Sequence, residues 1–260
     1  MPEQQLYLGT SQLAASYLGT VASTIYDKAT APTPALTSGY KIFVDANNPT
    51  SYPGTGTIWY DLSVNLNDAT LINGPTFNSG TPAYFSFDGT NDYGIFPYAS
   101  SGSDLDDFTF GGWINFNTSL YKAMVFRGQD DGSGGWSAAI GVSTAANGTK
   151  IEANVVTIVP GAIQSTILGS TTLSNNTWYH IYAVWKNGVS LKVYLNGVLD
   201  GTFNTSRNQL RNNSATGWVL NKIGSSYFPV KIGEFDLYFK ELNSTEILNN
   251  FNATKTNYGY

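Results

Sequence analysis

Between residues 178 and 203 the chain reads WYHIYAVWKNGVSLKVYLNGVLDGTF, two apolar runs and the start of a third, divided at Asn187-Gly188 and Asn196-Gly197. Asn-Gly readily takes the positive φ that both central residues of a type I′ turn need, so the spacing predicts two tight hairpins and three antiparallel strands. In the middle run Leu191, Val193 and Leu195 alternate with Lys192, Tyr194 and Asn196, the period-2 pattern of a strand with one core face and one surface face. Residues 178–185 are apolar on both faces, as in a strand inside a sandwich rather than at its edge.

The same short-run pattern holds from Gly39 onward. Apolar segments at 40–45, 58–62, 69–72, 84–87, 93–96, 108–116, 123–127, 136–142, 150–159, 165–168, 218–223 and 230–239 are separated by clusters of Gly, Pro, Asn and Asp. The turn at 88–92 reads as the tip of a hairpin joining 84–87 to 93–96. One helix is expected, over 244–251, because Asn243 can cap it, Glu246 sits at the capping-box position, and Ile247, Leu248 and Phe251 form a stripe. Many antiparallel strands without intervening helices predict an all-β, two-sheet sandwich with a short C-terminal helix.

The first residues follow another rule. Tyr7, Leu8 and Gly9, then Thr10, return ten residues later as Tyr17, Leu18, Gly19 and Thr20. Such a unit cannot bury its own apolar side, so residues 1–28 form either an edge hairpin of the main domain or an extended assembly arm. Residues 29–38, ATAPTPALTS, have the composition of a linker. The expected organisation is therefore arm 1–28, linker 29–38 and sandwich 39–260.

Composition narrows the class. Charged residues are 12% and aromatic residues 14% of 260, with 27 Gly, the balance of aromatic strands and Gly-containing turns. There is no cysteine, which excludes disulfides and thiolate metal sites. Only 13 Lys and Arg, scattered within a net charge of -5, argue against nucleic acid as a partner. The N-terminus lacks the pattern of a signal peptide, and no long apolar run predicts membrane insertion. Without export, the acceptor-like motifs at Asn117, Asn175 and Asn204 are read as polar turns.

Several passages together resemble the laminin-G-like, concanavalin A-like jelly rolls. They are FDGTNDY at 87–93, DFTFGGW at 107–113, WYH at 178–180 running on to Val184, LKVYLNG at 191–197, and IGEFDLY at 232–238 followed by 242–252. They come in the family's order and span about residues 40 to 260. A narrower likeness, in DANNP at 45–49, WYDLS at 59–63 and LINGP at 71–75, is to the version of this domain in tailed-bacteriophage virion proteins. The Tyr-Leu-Gly repeat is similar to repeats that precede such domains. The resemblance implies a non-enzymatic capsid decoration, fibre or tail component, assembled in the host cytoplasm and anchored to other virion proteins by its arm. Such arms commonly build symmetric homo-oligomers, and a trimer is the expected state. A free or cell-surface carbohydrate-binding lectin and a degenerate glycoside hydrolase are the alternatives.

A fold does not fix an activity, so each site needs its own argument. Family glucanases carry two catalytic carboxylates on one strand, spaced Glu-x-Asp-x-Glu or Glu-x-Asp-x-x-Glu. Glu234-Phe235-Asp236 begins that pattern, but Tyr238 and Phe239 stand where its last Glu belongs, leaving Glu234 without an acid/base partner; no catalytic residue is expected. His180, the only histidine, is expected as a hydrogen-bonded core or near-surface residue. Calcium, which family members often hold with loop oxygens, could sit at Asp88, Asn91 and Asp92 or at Asp130 and Asp131. Loop-proximal aromatic residues suited to a glycan are Trp136, Tyr227 and Phe228.

Overall fold

The computed structural model describes residues 39–97, 107–117, 122–128, 138–145, 148–159, 161–210 and 217–260. Within them the chain forms two large antiparallel sheets stacked face to face. The front sheet runs, by neighbour, Val198–Asn204, Ser190–Leu195, Trp178–Lys186, Asp107–Phe116, Pro229–Ile232, Tyr84–Asp88 and Thr76–Asn78. Glu234–Tyr238 also pairs with Asp107–Phe116 and carries Tyr40–Asp45 beyond it. The back sheet runs Ile163–Leu168, Gly148–Val159, Ala138–Ala145, Lys122–Gly128, Val219–Leu220, Tyr93–Ile95, Ala69–Ile72 and Ile58–Trp59. This is the expected jelly-roll sandwich. The arm and the linker at 29–38 lie outside the described residues.

The core between the sheets is aromatic. Phe110, Trp218 and Phe235 meet there with Phe126, Ile140 and Trp185, all of them buried. Leu191, Val193 and Leu195 point into it as their alternation requires. The opposite face of that strand is not simply surface: Tyr194 is buried in a second cluster with Tyr182, Val184, Tyr238 and Ile247. A third layer therefore covers part of the front sheet, and it is built by the C-terminal helix.

That helix runs Ser244–Thr254, a turn longer than the apolar stripe indicates, and continues as a 3-10 turn over Lys255–Tyr258. Its capping box is complete. Asn243 Oδ1 accepts from the backbone of Thr245 and Glu246, and Glu246 accepts from the Asn243 N–H. No described helix is long and apolar enough to cross a membrane.

Three local expectations change. Asn196 and Gly197 do form a two-residue turn, with φ of 50° and 83° and Leu195 opposite Val198. Asn187-Gly188 does not: Lys186 pairs with Ser190 across a three-residue loop in which Gly188 alone has positive φ, while the Asn187 N–H is taken by the Asp107 carboxylate. The turn at 88–92 is not a hairpin tip either, since Tyr84–Asp88 belongs to the front sheet and Tyr93–Ile95 to the back one. Phe85 and Phe96 enter one core from opposite sides, which a flat hairpin would forbid. Finally, the run 218–223 is broken at buried Asn221, whose φ is 62° and whose amide bridges the Asp92 and Phe228 carbonyls.

Candidate functional site

Alternation along Glu234–Tyr238 sends Phe235 and Leu237 into the core and Glu234, Asp236 and Tyr238 to the outer face of the front sheet. Register then adds what spacing in the sequence does not reveal. Asp45 lies opposite Glu234 on the adjoining strand, and His180 approaches from the other side, its Nε2 4.0 Å from Glu234 Oε1. Three carboxyl groups and the single histidine thus share one face, each 1% exposed or less. The sequence reading leaves Glu234 without a partner; Asp45 was hidden because it falls at the end of an ordinary apolar strand far from residue 234.

The C-terminal segment roofs this cluster. Asn250 donates to Tyr182 Oη at 3.2 Å and Tyr238 Oη at 2.8 Å, and Tyr182 in turn donates to Asp236. Trp113 Nε1 donates to Thr254 Oγ1 at 2.8 Å, and the Tyr258 ring stacks on Trp113 at 4.1 Å and 10°. The stack needs Gly233: a Cβ there would stand 2.4 Å from the Tyr258 hydroxyl. Gly233→Ala should therefore lift Tyr258 and loosen the roof, read as faster proteolytic trimming of the C-terminal segment while the sandwich core stays resistant.

The enclosed groups are poorly satisfied. Glu234 Oε2, Asp236 Oδ1, Asn250 Oδ1 and both ring nitrogens of His180 lack hydrogen-bond partners among the described residues. His180 is a buried residue whose ring, against expectation, makes no hydrogen bond among the described residues. Burial raises Asp236 to about 8 and Asp45 to about 6, and it raises Glu234 well above the usual carboxyl range with help from the charges of Asp45 and Asp236. Burial also lowers His180 to about 3. Burial thus favours the uncharged forms of the histidine and of the acids beside it. Such a chamber holds protons and has no open side for a sugar.

The other candidates lie apart from it. Asp88, Asn91 and Asp92 do share one turn, but that turn is closed by its own chain. Asp88 Oδ1 accepts the Thr90 N–H at 2.7 Å, which with further backbone N–H groups holds its carboxyl below the usual range, and Asp92 Oδ2 accepts the Asp88 N–H at 3.1 Å. No group of three or more acids or histidines among the described residues is placed to hold a metal ion. Tyr227 is half-exposed near Tyr93, with the Lys222 ammonium 4.3 Å from the Tyr93 ring, whereas Phe228 packs against the core. Asp130, Asp131, Trp136 and the arm residues Tyr7, Leu8, Gly9, Tyr17, Leu18 and Gly19 lie outside the described residues.

Residues 88–248 match the family model described as the concanavalin A-like lectin/glucanases superfamily. The chain belongs to that superfamily. No curated protein matches the chain in sequence. Among solved structures, the binding domain of Paraclostridial Mosquitocidal Protein 1 is similar over 83% of this chain and 52% of its own, at 16% identity and a TM-score of 0.61. The botulinum neurotoxin serotype D ligand binding domain, solved in complex with N-acetylneuraminic acid, is similar over 82% of this chain and 50% of its own, at 13% identity and a TM-score of 0.58. Trypanosoma rangeli sialidase is similar over 86% of this chain and 34% of its own, at 19% identity and a TM-score of 0.59. The chain thus spans about half the length of these toxin domains, and the likeness is one of fold.

Proposed function

We propose that this protein is a non-enzymatic structural component of a tailed-bacteriophage virion, displaying its lectin-like domain for adhesion to a host-surface glycan. The observation that carries the non-enzymatic part is the roof over Glu234 and Asp236. Glycoside hydrolysis needs one carboxylic acid and one carboxylate on either side of an accessible sugar, and these two acids are sealed, with burial favouring the neutral form of both. What remains is a binding scaffold. A glycan partner is supported by the toxin domain of the same fold whose complex contains N-acetylneuraminic acid.

The virion context rests on the sequence passages that resemble phage domains and on the Tyr-Leu-Gly repeat. Residues of those passages act structurally here: the Asp61 carboxylate accepts the N–H groups of Phe43, Ser63 and Asn67, which pins the 61–67 loop to the first strand. Anchoring to other virion proteins is assigned to the arm, and trimeric display to its repeat. Particles assembled with a chain lacking residues 1–38 should be devoid of this protein, measured by quantitative mass spectrometry of purified particles; normal incorporation would refute the anchoring role. A free lectin, by contrast, would be found outside particles and would keep its sugar affinity without the arm.

A further inference from the structure

The C-terminal roof covers only part of the front sheet, and an ordered row of residues starts at its edge, where Trp178 packs on Tyr258, and runs outward from it. Cross-strand register places Trp178 opposite Asn115, Asn115 opposite Lys231, Lys231 opposite Ser86, and Ser86 opposite Thr76. Their neighbours Tyr179, Ile114, Ile232 and Phe85 all point into the core, so these five side chains lie on the outer face. Strands repeat at about 4.8 Å, so the row extends about 19 Å across the sheet, with one polar group at each successive step after Trp178.

These polar groups are not engaged with one another. Asn115 is 5% exposed, and its side-chain amide, which is not among the fully enclosed polar groups, makes no hydrogen bond to any described residue and is left to meet a ligand. Lys231 has no carboxylate partner among the described residues, and its ammonium sits 5.2 Å from the centre of the Tyr84 ring. The Ser86 and Thr76 hydroxyls likewise find no hydrogen-bond partner among the described residues. Above the row, Tyr84 and the half-exposed Trp178 meet edge-on at 5.5 Å and form a low aromatic wall. Amide, ammonium and hydroxyls in line beside aromatic rings suit an oxygen-rich, ring-shaped ligand, whose hydroxyls take the polar groups while its C–H faces lie on the rings.

We propose that this row is the glycan-binding ledge of the domain: a short glycan lies across the strands along Asn115, Lys231, Ser86 and Thr76, against Tyr84 and Trp178. The assignment rests on the adhesion reading above and is separate from Tyr227. It is tested by probing a glycan array of neutral and sialylated oligosaccharides with the purified full chain and three variants. Lys231→Ala removes the ammonium, Ser86→Trp fills the ledge, and Tyr227→Ala alters the other aromatic surface. Since Lys231 and Ser86 face outward, both variants should keep the parent melting temperature. The expected result is binding by the parent and by Tyr227→Ala, with at least tenfold weaker binding by Lys231→Ala and Ser86→Trp. Equal binding by the parent and the two ledge variants would overturn the ledge and leave adhesion standing; no glycan bound by the parent would overturn both.

Discussion

Between pH 5 and pH 8 the melting temperature of this domain should fall by roughly 10 °C, at a few kcal/mol of lost stability and about 2–4 °C per kcal/mol for a chain of this size. The cause is the roofed carboxyl cluster. Asp45, Glu234 and Asp236 all have folded-state pKa values raised above those of an unfolded chain, Asp45 to about 6 and Asp236 to about 8. For such groups the native state binds more protons than the unfolded one, so their stabilisation is complete below the unfolded values near 4 and is lost as pH rises through the folded ones. His180 works in the opposite direction. Its value is lowered to about 3, so its contribution is intact above the unfolded value near 6.5 and is lost as pH falls below that. Three acids outweigh one histidine throughout the interval, and the opposing contribution of the histidine fades as pH rises past about 6.5.

Differential scanning calorimetry across that interval is the direct check. Asp236→Asn keeps the shape of the side chain without its ionisation, so it should flatten the alkaline limb and raise stability at pH 8. A melting temperature that climbs from pH 5 to pH 8 would show that these acids are ionised and compensated in the folded chain.

Trp113→Ala should be the most damaging single substitution in the roof, at about 3–5 kcal/mol, the usual cost of deleting a buried Trp. Its indole is fully buried, bonds Thr254 and supports Tyr258, so the change leaves a cavity and unfastens the segment together. A fall in melting temperature of about 10 °C or more is expected, again at about 2–4 °C per kcal/mol. Trp113→Phe keeps a ring beneath Tyr258 and loses chiefly the hydrogen bond, for a smaller cost of about 1 kcal/mol. Equal losses in the two variants would mean that the ring contributes little beyond its N–H.

Local chemistry was the legible part of this chain. Asn196-Gly197 folds as its two residues require, the strand over 178–186 is buried on both faces, and the Asn243–Glu246 box starts the helix where it should. Asn187-Gly188 has the same dipeptide but forms another loop, because Asp107 and Arg207 from distant parts of the chain bond its backbone. The candidate sites were mostly illegible for the same reason. Glu234-x-Asp236 is visible as a pattern, but Asp45 joins it only through strand pairing. Asn115, Lys231 and Ser86 carry no motif at all and come together only when three distant strands align.

The roof also makes folding a chemical reaction with the solvent. Until residues 244–258 settle on the front sheet, Glu234 and Asp236 are hydrated and ionised; once covered, they keep their protons up to higher pH. Refolding near pH 7 therefore takes up protons, and a weakly buffered solution turns slightly alkaline as the domain closes.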